Sequence, residues 1–392
     1  MDKEIQQDID IAVEQFRSML VEQYERNAGM AAKAKMKSED AAASSSASDA
    51  TVIGLVAGDG IGPVIMRETK DVLKTLLADE LTAGKLELRE VEGFTIENRL
   101  AKSKTVPDEV LSQLLGCNVI LKGPLTTPNA AMGGPNLESA NVFLRKSLDL
   151  FANVRPVKVA TEGIDWTFFR ENTEGEYALG SRGIRVGKEL AVDFKVTTEE
   201  GTRRIARAAF DFARKNGKTR VSIVTKANIM KKTDGDFQRI CLEVAKDYPE
   251  IETDTWFVDI MAANLVNKDI RNQFQVFVLP NLYGDIITDE AAQIQGGVGT
   301  AGSANIGSTH AIFEAIHGSA PRMVEEGIAE LANPASLMTA AVLMLRHIGL
   351  DSKALKLEQA IAAASRELGP QMTGLPGGAS CSDFANAVRN NL

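Results

Sequence analysis

Asp285 and Asp289, in Asn281-Leu-Tyr-Gly-Asp285-Ile-Ile-Thr-Asp289, stand four residues apart. On a helix that spacing puts both carboxylates on one face, where like charges repel. An acidic pair just after the mostly apolar run Phe274–Leu279 points to a divalent cation, and Asp259, behind Trp256-Phe257-Val258, is the natural third ligand. Oxygen donors alone favour Mg2+ or Mn2+ over Zn2+. The competing reading is a capping aspartate beside a solvated one. Arg145 and Arg155 flank a hydrophobic stretch, and Arg170 opens Arg-Glu-Asn-Thr-Glu-Gly-Glu-Tyr177. A guanidinium grips a carboxylate through two parallel bonds, so three of them, with Ser139 and Asn141, suit a small polycarboxylate. Taken singly, each arginine is more often a surface ion pair.

Lys226-Ala-Asn228 follows a strand expected at 221–225. A lysine at a strand end serves as a general base where burial or a nearby cation lowers its pKa; otherwise it is a lysine near a helix start. Gly58-Asp59-Gly60-Ile61-Gly62-Pro63 lacks the glycine order of a dinucleotide fingerprint, so phosphate contact and a plain turn both stay open. His317-Gly-Ser-Ala-Pro321, Asn305 and Asn333 are expected in loops, and His317 either stacks on an adenine or fills a turn. His310 and His347 have no partners at zinc spacing.

The elements that must hold these residues alternate short apolar strands with longer helical patterns, which marks an α/β protein. Strands are expected at 52–56, 86–91, 119–121, 221–225 and 274–279, and helices at 64–77, 106–115, 201–216, 235–248, 334–348 and 353–365. The helix at 201–216 should turn Ile205, Ala209 and Phe210 inward. Gly- and Pro-bearing segments near 156–163 and 296–307 would carry the chain between lobes. Upstream, Ile9, Val13, Phe16, Leu20, Val21 and Tyr24 recur at helical spacing, so 5–27 should be an amphipathic helix. The Ala-, Ser- and Lys-rich stretch 29–50 reads as a flexible linker.

A chain of 392 residues has room for two domains or one fold in two lobes, and its 44% hydrophobic content supports a sizeable core. A net charge of −9 argues against nucleic acid as a partner. No segment has the apolar length to cross a membrane. Cys117, Cys241 and Cys381 lie far apart without metal-site spacing and read as thiols of a reducing compartment. Asp2, Glu4, Asp8 and Asp10 fit neither a signal peptide nor a mitochondrial presequence, so the expectation is a cytoplasmic enzyme.

Taken in order, Gly58–Pro63, Leu121-Lys-Gly-Pro124, Asn141–Pro156, Arg170–Tyr177, Lys226–Gly235, Asn281–Asp289, Gly296–Gly307 and His317–Pro321 resemble the β-decarboxylating dehydrogenases, the isocitrate and isopropylmalate dehydrogenase family. The resemblance spans about residues 51–387. It implies an α/β, isopropylmalate dehydrogenase-like two-lobe fold with a large mixed sheet, not a true Rossmann fold. It divides the chain into a helical extension and linker (1–50), a large cofactor-binding lobe (51–156 with 297–392) and a small lobe (157–296) with the dimer interface and the metal-binding aspartates.

The same resemblance implies roles. Arg145, Arg155 and Arg170 grip substrate carboxylates. Asp259, Asp285 and Asp289 hold Mg2+ or Mn2+, with Asp259 contributed by the neighbouring subunit. Lys226, also from the neighbour, and Tyr177 form the proton-transfer pair. Thr126, Glu314, His317, Gly318, Ser319, Ala320, Arg322 and Asn333 bind the nicotinamide cofactor. The partner is a second copy in a homodimer with shared active sites, or a larger oligomer.

Leucine-pathway members of the family place an apolar side chain before the arginine at 145, whereas this chain has Ser139-Ala-Asn141. Buried against an isopropyl group, those polar groups would cost ~1–3 kcal/mol each, so isocitrate is the expected substrate and 2-oxoglutarate with CO2 the expected products. Homoisocitrate, isopropylmalate or a tartrate-like acid are the alternatives. Arg322 stands where NAD-using relatives usually carry an acid, yet Thr373–Gly378 lacks the Tyr and Arg of bacterial NADP users; NAD is expected, with NADP the alternative. A catalytically idle regulatory subunit of a hetero-oligomeric dehydrogenase is the non-enzyme alternative.

Overall fold

The computed structural model describes residues 3–40, 50–128, 137–180, 182–297 and 299–392, with side chains described for 4–29 of the first helix. The strands in chain order are Thr51–Val56 (β1), Leu86–Glu90 (β2), Val119–Lys122 (β3), Ala152–Val159 (β4), Ile164–Glu171 (β5), Ile184–Val186 (β6), Leu190–Val192 (β7), Arg220–Thr225 (β8), Glu252–Phe257 (β9), Val276–Leu279 (β10), Gly302–Ile306 (β11) and Ala311–Ala315 (β12). Among the described residues, all but β6 and β7 form a 10-stranded sheet in the order β2-β1-β3-β12-β11-β4-β5-β10-β8-β9. Its two ends are parallel, and the middle is joined by the antiparallel pairs β12/β11, β11/β4 and β4/β5.

Helices cover both parallel ends, which is why β3 and β10 are unbroken runs of buried residues. At one end Gly62–Leu76, Ala335–His347, Asp351–Leu368 and Cys381–Asn390 enclose a core that includes Leu73, Phe313, Met338 and Phe384. At the other, Glu199–Lys215 and Thr233–Ala245 pack around Phe210, Val221 and Val276, with Ile205, Ala209 and Phe210 fully buried as their spacing required. The expected strands and helices are present, their ends displaced by a few residues.

Two expectations change. The segments near 156–163 and 296–307 are not simply connecting loops: they contain most of β4's second half and all of β11, the strands that knit the two parallel ends together. Pro156 is tolerated there because β11 pairs only with Ala152–Val154, so the missing N–H lies beyond that ladder. The first helix runs from Lys3 to Asp40, well into the stretch expected to be linker, and residues 41–49 lie outside the described residues. Alanine and lysine, abundant over 31–37, are strong helix formers.

That helix lies along the small β6–β7 hairpin. Phe16 stacks on Phe194 with ring centroids 5.0 Å apart, Asp8 accepts the Gly187 N–H at 3.1 Å, and Glu22 pairs with Arg182. Its contact face holds the buried Ala12 and Met19, while Val13, Leu20 and Tyr24 face solvent.

Candidate active site

β10 ends at Leu279, and the helix Asn281–Gln295 starts at once, so Asp285 and Asp289 share its cleft-facing side. Arg170, next to last in the neighbouring β5, crosses the start of this helix so closely that a Cβ on Gly284 would sit 2.5 Å from its Cγ. Its guanidinium donates to Asp285 and to the Asn281 side-chain oxygen Oδ1, the latter at 3.0 and 2.7 Å. Arg155, on β4, donates to Asp289 at 2.8 Å and to the Thr288 hydroxyl at 2.7 Å. The repulsion that suggested a cation is therefore offset within the chain by two buried arginines, and the spacing alone no longer demands an ion. Burial works against Asp285 ionising, yet Arg170 and Arg155 hold its pKa below the ordinary value. Tyr177 donates to Asp285 at 3.0 Å; burial and that carboxylate raise its pKa, so the phenol keeps its proton.

Arg145 and Arg155 line a second recess of about 150 Å3 together with Lys122, Asn141, Glu314, His317 and Gly318. Beneath it runs a buried polar chain. Arg155 donates to Asn153, Asn153 to Ser303 and Asn305, and Asn305 to Glu314, which pairs with Lys122 at 2.7 Å. Burial opposes the Glu314 charge, but Lys122 and Arg145 pull its pKa down to about 2. Asn141 Oδ1, Arg145 Nε and His317 Nε2 are buried around this recess without a hydrogen-bond partner among the described residues. Native interiors rarely leave such atoms unpaired, and three at one recess mark a place for a polar ligand. Burial lowers the His317 pKa, so the ring, whose Nδ1 meets the Gly318 carbonyl oxygen at 3.0 Å, is neutral.

Ser139 precedes the helix Ala140–Ser147, and its hydroxyl caps none of that helix's N–H groups. It shares a larger cavity, about 670 Å3, with Glu176, Tyr177 and Arg182. The Gly58–Pro63 turn proves to be a structural device. A Cβ on Gly60 would fall 1.9 Å from the Ser319 carbonyl oxygen, and Asp59 accepts the N–H groups of Thr126 and Ile96 at 2.7 Å each. It thereby holds the Thr126 and Ser319 loops together, whose hydroxyls meet at 2.8 Å. Ala320 takes a left-handed φ of 44° just before Pro321. Arg322 is 84% exposed and donates to Glu326 at 2.6 Å, and Asn333 accepts the Ala335 N–H at 2.9 Å.

Lys226 and Asp259 stand apart from this cluster and pair with each other. Among the described residues no three acidic, His or Cys side chains come together as a metal site within one chain. Asp285 and Asp289 are nevertheless all-oxygen donors, partly open to solvent, whose chemistry suits Mg2+ or Mn2+. Reasoning from sequence assigned no role to Lys122, Asn153 and Ser303, and placed Asn305 in a loop, whereas it is buried in β11. Polar residues at inward positions of otherwise apolar strands were the available signal.

The isocitrate/isopropylmalate dehydrogenase family model matches residues 52–388. The chain belongs to this family. It is 35% identical over 364 residues to a probable mitochondrial NAD isocitrate dehydrogenase subunit alpha of Drosophila melanogaster, covering 91% of this chain and 92% of that protein. It is 39% identical to an NADP isocitrate dehydrogenase of Rickettsia prowazekii, covering 79% of this chain and 62% of the relative. The crystal structure of isocitrate dehydrogenase from Methylococcus capsulatus superposes with a TM-score of 0.76 at 35% identity, covering 87% and 99% of the two chains. The isopropylmalate dehydrogenase-like mixed-sheet fold, distinct from a Rossmann fold, is thus shared. One expectation is overturned: the NAD-linked relatives of this dehydrogenase are mitochondrial by name, so the acidic N-terminus did not justify a cytoplasmic assignment.

Proposed function

We propose that this dehydrogenase oxidatively decarboxylates isocitrate to 2-oxoglutarate and CO2, with NAD as hydride acceptor and Mg2+ or Mn2+ bound. The observation that carries this reading is the meeting of Arg145, Arg155 and unpaired Asn141 with His317 in one recess, beside Arg170, Asp285 and Tyr177. Three guanidiniums suit three carboxylates, and Ser139 and Asn141 remain free to meet the one that an isopropyl group would replace.

Asp285 and Asp289 would hold the divalent ion, completed by Asp259 from a second copy. Such an ion supplies electrophilic stabilisation of negative charge at the C2 oxygen. Lys226 of the second copy accepts the hydroxyl proton. Tyr177, still protonated at neutral pH, is suited to deliver a proton to the enol carbon after CO2 leaves. His317, Gly318 and Ser319, with Thr126, Glu314, Ala320 and Asn333, would seat the nicotinamide cofactor, which supplies the hydride acceptor. NAD is favoured because Arg322 is engaged by Glu326 and the Thr373–Gly378 loop contains no cation for a 2′-phosphate.

The test is the initial rate of the purified full chain with isocitrate and Mg2+ or Mn2+, with each nicotinamide in turn. A higher kcat/KM with NAD is expected; preference for NADP overturns the cofactor, and preference for isopropylmalate or homoisocitrate over isocitrate overturns the substrate. No turnover by the chain alone would favour the regulatory-subunit alternative.

A further inference from the structure

Lys195 lies three residues beyond β7, at the foot of the exposed hairpin, yet its side chain is only 5% exposed. Its ammonium touches three separate elements. It pairs with Asp234 at 2.5 Å and with Glu176 at 3.4 Å, and lies 4.2 Å from the centre of the Tyr283 ring. Each contact stands next to a residue of the site. Glu176 precedes Tyr177. Tyr283 is on the helix that carries Asp285. Asp234 is completely buried, and its second oxygen accepts the backbone N–H of Lys226 at 2.7 Å.

A buried lysine–aspartate pair is a poor way to gain stability, because desolvating both ions offsets most of their attraction. Well-packed apolar residues would fill the same space at no electrostatic cost. What the charge provides here is a fixed geometry among three segments, two of which are also joined directly, through Asn281 to Glu174 and Tyr177 to Asp285. Asp234 gives one oxygen to Lys195 and the other to the peptide of Lys226, so a shift of Lys195 moves the Lys226 backbone. The same ammonium limits where Glu176, and with it Tyr177, can settle.

We propose that Lys195 is a positioning residue that fixes Tyr177 and Lys226 relative to each other through Glu176 and Asp234. This rests on the reading of Tyr177 and Lys226 as the proton-transfer pair. Because Tyr177 serves its own chain's site and Lys226 the neighbouring one, the strut ties the two sites of a dimer into one mechanical unit.

The test compares the full-length enzyme carrying Lys195→Met and Asp234→Asn together with the wild type, using isocitrate, Mg2+ and NAD. The paired change removes one buried charge of each sign and leaves only the part-exposed Glu176 without its cation, and the asparagine oxygen can still accept the Lys226 N–H. A fall in kcat of about 10²-fold at unchanged isocitrate KM and unchanged melting temperature is expected, the scale of a small displacement of catalytic groups. Lys195→Arg should recover part of that loss. Wild-type kcat in the paired variant overturns the proposal, as does a loss of kcat that follows a loss of thermal stability. Should the paired variant fail to fold, Glu176→Gln decides: it spares the buried pair, and wild-type kcat there also overturns the strut. Tyr177→Phe and Lys226→Met are run alongside. If either keeps wild-type kcat, the proton-transfer reading itself fails; if both are crippled while the strut variants are normal, only the strut does.

Discussion

Around Asp285 almost every charge has a buried partner, whereas at Lys226 the charge is held by one carboxylate that is itself largely in water. Arg170 and Arg155 are 1% and 9% exposed; Lys226 and Asp259 are 26% and 59% exposed. The first region is complete within one chain, and its charges belong to the core of the sheet. The second presents an ammonium and a carboxylate outward, paired with each other. The contrast teaches that one half of the proposed site is coupled to folding while the other is not, as the proposed sharing with a second copy would require. Substitutions should therefore separate activity from stability at Lys226 and affect both together around Asp285.

The largest effect should come from Lys226→Met, with kcat falling by ~10²–10⁴-fold, the usual worth of a positioned proton acceptor, while thermal denaturation is unchanged. Co-expression with Tyr177→Phe then breaks or keeps the comparison. If Lys226 serves the other copy, randomly mixed dimers each retain one intact site and roughly a quarter of wild-type activity returns. No recovery beyond the sum of the two parents would show that the sites are not shared.

Gly284→Ala should act on the buried region in the opposite manner. Its Cβ would overlap the Arg170 stem, so stability should drop by ~1–3 kcal/mol, as overpacking usually costs. Isocitrate KM should rise in the same variant as Arg170 is displaced. A variant with normal stability and normal KM would show that the arginine is not held by this contact.

A smaller, pH-dependent effect belongs to Glu174, in the segment that carries Tyr177. Burial and the nearby Glu171 raise its pKa to about 7 from an ordinary 4.5. A raised folded-state value means the native state holds this proton more tightly than the unfolded chain. Its contribution to stability is complete below pH 4.5 and is lost as pH rises to about 7. Thermal melts between about pH 5 and pH 8 should show Glu174→Gln gaining on the wild type as pH increases. A constant difference across that range would count against the raised pKa.

The smallest effect is expected at Glu22→Ala, which removes the Arg182 ion pair between the first helix and the hairpin region. Both side chains are about half exposed, so the change should be under about 1 kcal/mol with kcat unaltered. A marked loss of turnover would mean that the helix does more than lie along the hairpin.

Much of the fold could be read from the chain because its strands are short apolar runs and its helices have inward faces such as Ile205, Ala209 and Phe210. The order of the strands could not. β11 and β12 join strands far away in sequence, and Asn153 of β4 and Asn305 of β11, which meet across their pairing, are separated by 152 positions. The glycine turn at 58–63 left two readings open, because a glycine needed for a ligand and one needed by a neighbouring backbone look alike until Ser319 is seen beside it. The first helix was legible as a helix, but its exposed Val13, Leu20 and Tyr24 were not legible as surface, since helical spacing shows a stripe and not what covers it.

By itself the sequence determined which side chains could grip carboxylates or oxygen-binding cations, and on which local elements they stand, because spacing fixes a face and residue type fixes a charge. Only the tertiary structure decided which charges meet: Asp285 with Arg170, Arg155 with Asp289, Lys226 with Asp259 and Lys195 with Asp234. The physical reason is that these pairs form across strands and helices brought together by burial of their apolar faces. Burial is nearly indifferent to direction, whereas an ion pair depends on both distance and partner.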